Sequence, residues 1–417
     1  MERFQPVGHV IGRLCLALGL AMLIPAAIDY YDGHEAWLAF VVSATLTATA
    51  GGAFALLLAS APGRGRGLDR RQAVLLTVLV WVVLPIFGAL PFIFGLPGMN
   101  YTDAFFEAMS GLTTTGATVL SGLEDMDRGM LLWRAMLQWF GGVGIVVVAM
   151  VFLPVLKIGG MQFFRTESFD LIGDLLPRAA EAAGQLFGIY FALSLACMIG
   201  YSAAGMNGFD AICHAMTTVS TGGMANYDAS FAAFDPLAQY VAVLFMTLAA
   251  LPFLRLMQLS RGQPLPLLRD PQIRGFVTIV SVVATLMVAW RLWRGEDDLE
   301  PLLRSALFNV TAILTGTGYA SSDFNGWGGF PVALFFLLAL IGGCAGSTSC
   351  SAKIFRYQIL FAALKVQLAR IHSPHGVFAL RYAGRTVDGE VLSSVMGYFF
   401  VFSGSLALWA VLLSLTG

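Results

Sequence analysis

The chain has 417 residues, of which 58% are hydrophobic and only 12% are charged. Soluble domains carry roughly 25% charged residues, so the composition excludes an ordinary soluble enzyme or binding module and predicts a protein with several membrane spans. The formal net charge of −1 gives no reason to expect a nucleic-acid partner. The five cysteines are scattered and form no C-x-x-C pair, which argues against disulfides and against a metal site.

Nine apolar runs are long enough, at about 20 residues, to cross a bilayer. The first run is followed by no A-x-A-like cleavage site and by many further spans, so we interpret it as a transmembrane helix and not as a signal peptide. The eighth run is long and is interrupted by small residues. In chain order the runs lie at 7–28, 36–61, 73–96, 130–156, 182–204, 234–258, 276–293, 329–361 and 391–416.

Three short segments between these runs share one construction. They lie at 103–116, 210–223 and 305–318, and each begins with Asp or Ser followed by Ala and ends at a glycine 13 residues later. Asp and Ser are favourable N-caps, so each segment is predicted to begin a half-helix at its first residue. The Thr, Ser and Gly residues that end each segment extend a helix poorly, so the backbone is predicted to leave the helix there.

The charges of the connections alternate along the chain. Lys and Arg collect in cytoplasmic loops, so the basic connections predict a cytoplasmic N-terminus and place the start of all three half-helices outside. Each half-helix then points its partially negative C-terminal end toward the membrane centre, which suits a cation. The basic connections hold Arg64, Arg66, Arg70 and Arg71; Lys157, Arg165 and Arg178; Arg255, Arg261, Arg269 and Arg274; and Lys353, Arg356, Lys365, Arg370, Arg381 and Arg385.

The ends of the three segments are candidate ion ligands. Thr and Gly are also ordinary turn residues, so the alternative is three simple turns. Three copies at one offset from the helix start favour coordination by main-chain carbonyl oxygens, as in cation selectivity filters. The candidate ligands are the carbonyls of Thr114, Thr115 and Gly116, of Thr221, Gly222 and Gly223, and of Gly316, Thr317 and Gly318.

Ten consecutive small residues interrupt the eighth apolar run. Non-helical backbone in the membrane is tolerated only where it is buried in protein or lines water, so this stretch is a candidate gate below the filter. The alternative is a small-residue surface at which two helices pack closely. The candidate gate residues are Gly342, Gly343, Cys344, Ala345, Gly346, Ser347, Thr348, Ser349, Cys350 and Ser351.

Three ionisable residues lie beside these motifs. Lys353 could place a positive charge in an inner cavity, or it could extend to the cytoplasmic interface, which is the commoner arrangement. Glu107 and His214 could be cation or proton ligands, although such residues more often face the outer vestibule or hydrogen-bond neighbouring helices. The sequence has no G-x-S-x-G, H-E-x-x-H or P-loop motif and no histidine cluster, so it does not predict an enzyme.

Three stretches carry a resemblance to a known family. Leu-Thr-Thr-Thr-Gly-Ala-Thr at 112–118, Leu-Gln-Trp-Phe-Gly-Gly-Val-Gly-Ile at 137–145 and Ile-Gly-Gly-Cys-Ala-Gly-Ser-Thr at 341–348 resemble TrkH, the membrane subunit of bacterial Trk potassium uptake systems in the Trk/Ktr/HKT superfamily. The similarity extends over essentially the whole chain. It implies an all-α polytopic membrane protein with four repeats of helix, pore loop and helix around one ion pathway, preceded by two leading helices.

The resemblance also implies partners and site residues. It implies a homodimer and a cytoplasmic, nucleotide-binding regulatory subunit of the TrkA type, with no cofactor in the chain itself. By position it makes Gly116, Gly223 and Gly318 the filter glycines and 342–351 the gating loop. Glycine at 116, where sodium-selective relatives similar to plant HKT proteins carry serine, favours potassium. One departure is Ser349-Cys350-Ser351, where the family usually continues with glycines.

The predicted organisation is two leading helices at 1–69, a first repeat at 70–158, a second at 175–260, a third with the gating loop at 272–370, and the first helix of a fourth repeat at 385–417. At the spacing of the earlier repeats a fourth filter glycine would fall beyond Gly417. We therefore expect a truncated reading frame that lacks the fourth pore loop, the final helix and the pore-facing arginine that the family carries there.

The leading hypothesis is potassium uptake across the bacterial inner membrane through a carbonyl-lined filter, an inner cavity and a gate at 342–351. One alternative is a proton- or sodium-coupled solute carrier. Such carriers usually have inverted repeats, whereas here all half-helices are predicted to enter from one side. The other alternative is a non-conducting truncated product. The sequence leaves the coupling ion, the selectivity ratio, the regulator and the oligomeric state open.

Overall fold

The fold is almost entirely helical. A computed structural model describes residues 5–58, 70–148, 159–164 and 175–415, which contain 17 α-helices and one small β-hairpin. The basic residues Arg64, Arg66, Lys157 and Arg165, and the ends of the predicted runs at 36–61 and 130–156, lie outside the described residues.

The helices of the first half are α1 (Gln5–Ala21), α2 (Leu23–Asp32), α3 (Trp37–Leu57), α4 (Arg70–Gly88), α5 (Leu90–Gly95), α6 (Tyr101–Leu112), α7 (Arg128–Val147) and α8 (Leu175–Ala203). Those of the second half are α9 (Gly208–Val219), α10 (Pro236–Ala249), α11 (Phe253–Ser260), α12 (Leu265–Arg269), α13 (Pro271–Trp293), α14 (Leu299–Thr315), α15 (Gly329–Ala339), α16 (Ile354–His372) and α17 (Gly389–Ser414). The hairpin pairs β1 (Arg381–Tyr382) with β2 (Arg385–Thr386) in antiparallel register, a small exception to the all-α prediction.

Seven spans of the described part are long and apolar enough to cross a membrane, and the prediction of a polytopic membrane protein is confirmed. The first of them runs from Gln5 to Asp32 through both α1 and α2. Burial differs sharply between the spans: 67% of the most apolar window of α7 is buried, against 6% for α17. Helix α7 is therefore a central helix, against which the other elements are arranged.

The predicted N-caps of the half-helices are wrong: they lie three to seven residues after the observed ones, Asn100, Asn207 and Asp298. Helices α6 and α9 begin after Asn100 and Asn207, whose side chains accept hydrogen bonds from the backbone N–H groups of Asp103 and Asp210. Each Asn also donates to the carboxylate of that Asp, at 2.8 and 2.6 Å. Asp103 and Asp210 thus lie at the third helical position of a reciprocal cap. Helix α14 starts at Leu299, one and a half turns before Ser305.

The predicted apolar run at 234–258 forms two helices with a sharp bend between them. Helices α10 and α11 meet at an angle of 100°, with Pro252 at the break. Proline has no N–H to continue the helix, and the carbonyls of Ala249 and Ala250 turn instead to a later part of the chain. They accept hydrogen bonds from the backbone N–H groups of Thr348, at 3.3 Å, and Cys344, at 3.0 Å.

Three apolar clusters surround the three half-helices. Phe40, Phe92 and Trp133 belong to the cluster around α6. The cluster around α9 includes Tyr190, Phe231 and Met246, and the cluster around α14 includes Phe276, Met287 and Phe335. Each half-helix is therefore held in its own core, and α7 contributes to the first two.

Helices α1 and α3 pack backbone against backbone through small residues. A Cβ atom on Gly51 would lie 2.6 Å from the backbone nitrogen of Leu16 and 2.7 Å from the carbonyl oxygen of Gly12. A larger residue at 51 would therefore force the two helices apart. The next residue, Gly52, has no atom within 4 Å of such a Cβ, which makes it a natural control site.

We expect Gly51→Leu to lower the free energy of unfolding by about 1–3 kcal/mol, the usual cost of overpacking, because the α1–α3 contact cannot accommodate the side chain. The melting temperature of the purified protein in detergent measures this. Gly52→Leu makes the same substitution one residue away and should melt close to the unmodified protein. Equal losses at the two positions would contradict the packing described here.

Candidate ion-coordinating site

The three half-helices end in loops with the same backbone pattern. In each loop two residues with positive φ flank one residue without it: Thr114 (55°) and Gly116 (82°), Thr221 (52°) and Gly223 (80°), and Gly316 (75°) and Gly318 (82°). Backbone that alternates in this way can turn successive carbonyl oxygens to the same side. The left-handed region costs a non-glycine residue roughly 1–2 kcal/mol, so Thr114 and Thr221 are held in strained conformations.

The backbone N–H groups of the loops donate hydrogen bonds to the carbonyls of the half-helices. The N–H groups of Thr114 and Thr115 donate to Gly111 and Ser110, at 3.0 and 2.9 Å, and those of Thr221 and Gly222 donate to Thr218 and Thr217 at the same two distances. In the third loop Gly316 and Gly318 donate to Ile313 and Ala312, at 3.1 and 3.2 Å. The loop N–H groups therefore hold the loops to the half-helices, whereas the loop carbonyl oxygens take no part in these bonds.

The nine predicted ligand carbonyls accept no hydrogen bond from any described residue. Thr114, Thr221 and Thr317 are buried, with at most 5% of their surface exposed. Buried carbonyl groups are almost always paired in folded proteins. Carbonyls without donors on these buried residues, at the negative ends of three helices, can coordinate a cation.

The loops converge on one another in chain order. A Cβ atom on Gly116 would collide with the carbonyl oxygen of Gly222, and one on Gly223 would collide with the carbonyl oxygen of Thr317. The predicted filter residues of the first and second loops, and of the second and third loops, are thus brought together. Glycine at 116 and 223 serves both the positive φ and this close approach.

Helix α7 supports the first two loops from behind. A Cβ atom on Gly141 would collide with the carbonyl oxygen of Leu112, at the end of α6, and one on Gly142 would lie 2.8 Å from the Cβ of Ser220. The side chain of Gln138 packs against Gly222, and its Oε1 accepts a hydrogen bond from the Met224 N–H at 3.1 Å. The motif at 137–145 therefore packs behind the first and second loops and supports them.

Glu107 and His214 of the half-helices are buried and paired. Glu107 forms an ion pair with Arg134 of α7, with 2.7 Å between Oε1 and Nε, and His214 accepts from the backbone N–H of Asn226 at 3.4 Å. The structure thus places both in hydrogen bonds with neighbouring segments. Asp210 accepts from the Tyr227 hydroxyl at 2.8 Å; burial and this hydrogen bond raise the pKa of Tyr227 to about 12, so the hydroxyl keeps its proton.

The candidate gate at 342–351 is a non-helical loop between α15 and α16, not a surface for helix packing. All of its residues from Gly342 to Ser349 are buried. Thr348 Oγ1 donates to the carbonyl of Val219 at 3.2 Å, and the Cys350 N–H donates to the carbonyl of Thr315 at 3.4 Å. The loop is therefore bonded directly to the ends of α9 and α14, next to the coordinating loops.

The departure at 349–351 has a structural consequence. Ser351 has φ 65°, a conformation that glycine would adopt without strain, and its hydroxyl donates to the carbonyl of Ala339. The Cys350 sulfur lies where a Cβ on Gly316 would sit. Serine and cysteine therefore add contacts to the gate that glycines would not make.

Lys353 does not extend away to the interface. Its ammonium donates to the carbonyls of Ser347, at 3.5 Å, and Ser349. It lines a cavity of about 430 Å³ together with Thr113 of the first coordinating loop and Ala345 and Cys350 of the gate. Of the two predicted alternatives, the placement of a positive charge in an inner cavity is the one the structure supports.

Sequence reasoning missed several residues of this site. Asn100 and Asn207 repeat an Asn-x-x-Asp spacing that signals a helix start. Arg134 is isolated in an apolar run, and an ionisable residue inside a membrane segment implies a buried partner. Gln138 gave no such signal, because a single Gln in an apolar stretch is common.

The fold and these loops define a class: a polytopic membrane protein in which three half-helices end in loops whose nine predicted ligand carbonyls accept no hydrogen bond from the described residues. The profile of the TrkH family, described as a cation transport protein, matches residues 47–416. The chain belongs to this family. It is 36% identical over 419 aligned positions to the Trk system potassium uptake protein TrkI of Halomonas elongata, covering 100% of this chain and 84% of the relative.

Two further comparisons agree. The Trk system potassium uptake protein TrkH of Escherichia coli K12 is 35% identical over 409 positions, which cover 96% of this chain and 83% of that protein. The crystal structure of the potassium transporter TrkH from Vibrio parahaemolyticus superimposes with a TM-score of 0.90 at 32% identity, over 99% of this chain and 86% of that one. The recognition made from the three motifs is confirmed.

We expect Gly223→Ala to destabilise the protein more than Gly122→Ala does. Both glycines have positive φ, at 80° and 70°, so both variants incur about 1–2 kcal/mol of backbone strain. Only the methyl group at 223 meets another loop, since a Cβ on Gly122 has nothing within 4 Å. The difference in melting temperature in detergent measures the collision with Thr317. Equal losses would mean that the second and third loops do not approach closely.

Proposed function

We propose that the chain mediates potassium uptake, with the three loops as its selectivity filter. The observation that carries the proposal is the set of nine loop carbonyls, at the C-terminal ends of three half-helices, that accept no hydrogen bond from the described residues. Such carbonyls can replace the water around K⁺. The relatives are named as potassium uptake proteins of Trk systems, which supports potassium as the ion.

The proposed path continues from the filter to the gate. K⁺ leaves the carbonyls of the three loops, enters the cavity beside Lys353 and passes the loop at 342–351. Hydrogen bonds from Thr348 and Cys350 to the ends of α9 and α14 hold this loop across the inner side of the filter. Opening therefore requires these bonds to break, while the half-helices keep their own cores.

We further propose the setting of this path. The protein lies in the bacterial inner membrane with a cytoplasmic N-terminus, because the basic connections then fall on the cytoplasmic side. It acts as a homodimer and is regulated by a cytoplasmic TrkA-type subunit that binds the nucleotide. The gate is the natural target of such a subunit, since Arg356 of α16 donates to the carbonyls of Gly159 and Ala352 and so links the gate to the segment at 159–164.

Uptake of Rb⁺ into vesicles tests the function. The purified chain is reconstituted into vesicles that are loaded with K⁺ and placed in K⁺-free buffer with a trace of Rb⁺. We expect accumulation of Rb⁺ above that of protein-free vesicles, and inhibition by external K⁺ at lower concentrations than by external Na⁺. Gly122→Ala, which lies outside the filter, should retain this uptake.

Other outcomes separate the alternatives. Saturable uptake of an organic solute driven by a proton or sodium gradient, without Rb⁺ flux, would indicate a coupled solute carrier. The absence of both, with folded protein present in the vesicles, would indicate a non-conducting product. Inhibition by Na⁺ at lower concentrations than by K⁺ would overturn the potassium assignment.

We expect Lys353→Met to increase the rate of Rb⁺ uptake. The variant removes a positive charge beside the path and two hydrogen bonds that hold the gate. Repulsion of about 1–2 kcal/mol at an effective dielectric constant of about 20 corresponds to roughly a tenfold change in rate. Lys353→Arg keeps the charge and should leave the rate near that of the unmodified protein. An unchanged rate in Lys353→Met would mean that this side chain does not control passage.

A further inference from the structure

Each half-helix carries one buried polar side chain at the same position. Glu107, His214 and Asn309 each follow the Asp or Ser of their segment by four residues, and all three have 0% of their surface exposed. The three side chains differ in charge and in shape. The position is therefore equivalent in the three repeats although the residue is not.

All three side chains accept a hydrogen bond from an equivalent backbone group. The donor is the N–H of the third residue after the filter glycine: Val119 to Glu107 Oε2 at 3.2 Å, Asn226 to His214 Nε2 at 3.4 Å, and Ser321 to Asn309 Oδ1 at 3.3 Å. A carboxylate, an imidazole and an amide thus accept the same backbone hydrogen bond in the three repeats. Each fastens the outer exit of its loop to the middle of its own half-helix.

The first of these contacts extends to the second loop. The Glu107 carboxylate also accepts from the Thr118 hydroxyl and from Arg134 Nε. Arg134 in turn donates to the carbonyl of Ala225, at 3.0 Å, and to the Thr118 hydroxyl, at 3.2 Å. The buried ion pair therefore joins the exits of the first and second loops through α7.

The second contact requires one tautomer of His214. Its Nδ1 lies 2.8 Å from the carbonyl oxygen of Asp210, which can only accept, so Nδ1 carries the proton and Nε2 is free to accept from Asn226. Phe231 and Phe234 pack edge-on against the ring. In the third repeat Asn309 donates from Nδ2 to the Ser321 hydroxyl at 3.0 Å, so this exit is held by two bonds.

From this arrangement we propose that Glu107, His214 and Asn309 are positioning residues that set the spacing of the filter carbonyls and thereby the preference for K⁺ over Na⁺. The inference deepens the proposed function and rests on it. A loop held at the half-helix and again at its exit cannot close around a smaller ion without breaking one of these bonds. Loss of an acceptor should therefore relax selectivity before it abolishes transport.

Variants of His214 separate the acceptor from the shape of the ring. His214→Phe keeps an aromatic ring beside Phe231 and Phe234 but removes the acceptor, whereas His214→Asn introduces the side chain that the third repeat uses at this position. We expect His214→Phe to lower the K⁺ over Na⁺ preference about fivefold, the equilibrium effect of one buried neutral hydrogen bond, and His214→Asn to retain it. The preference is measured by competition of K⁺ and Na⁺ against Rb⁺ uptake.

The third repeat provides an independent test with its own control. Asn309→Leu has nearly the same size but no acceptor, and should lower the preference similarly, with a larger change in KM than in the maximal rate. Thr311→Val alters a fully buried hydroxyl of the same helix that has no hydrogen-bond partner in the described structure, and should change neither quantity.

The results distinguish the two proposals. No Rb⁺ uptake by the unmodified protein would reject the proposed function itself. Uptake with unchanged selectivity in both His214→Phe and Asn309→Leu would overturn the positioning role, as would lost selectivity in His214→Asn. If His214→Phe and Asn309→Leu do not fold, His214→Asn decides, because the proposal requires it to keep the selectivity of the unmodified protein.

Discussion

The constraint on which this structure depends is that buried carbonyl groups require a partner. Nine loop carbonyls, four of them on the buried residues Thr114, Thr221, Gly222 and Thr317, accept no hydrogen bond from the described residues, and each loop follows the negative end of a half-helix. In an apolar surrounding an unpaired polar group costs several kcal/mol, so such loops are stable only if the rest of the protein holds them in place.

The support comes from several directions. The carbonyls of the half-helices accept hydrogen bonds from the loop N–H groups. Gly141, Gly142 and Gln138 of α7 pack behind the loops. One side chain in each half-helix accepts a hydrogen bond from the residue at the loop exit. Two threonines, Thr114 and Thr221, are kept at positive φ by this surrounding. The backbone strain is therefore confined to the loops that carry the ligand carbonyls. Such strained conformations persist only where the surrounding structure holds them in place.

The sequence predicts much of this arrangement because the chemistry of the loops is visible in it. Thr-Thr-Gly, Thr-Gly-Gly and Gly-Thr-Gly at one offset, and ten small residues inside an apolar run, have few other uses in a membrane protein. Contacts between distant segments gave no comparable signal. The pairing of Glu107 with Arg134 depends on how α6 packs against α7. The cap of α6 at Asn100, by contrast, is visible in the Asn-x-x-Asp spacing at 100–103.

The break between α10 and α11 has one local signal, Pro252, which has no N–H to continue a helix, but the sequence does not show which groups pair with the freed backbone. The physical explanation of the break lies in the gate. The carbonyls of Ala249 and Ala250 accept from Thr348 and Cys344, and the Phe253 N–H donates to the carbonyl of Gly346 at 2.9 Å. The bend between α10 and α11 and the loop at 342–351 thus pair each other's backbone hydrogen-bonding groups. Neither segment would be stable in the membrane alone. The proposed gate cannot move by itself, because breaking these three bonds exposes polar groups at the bend of α10 and α11. Movement of the proposed gate and movement of α11 are therefore coupled, which connects the proposed ion path to the last helix of the second repeat.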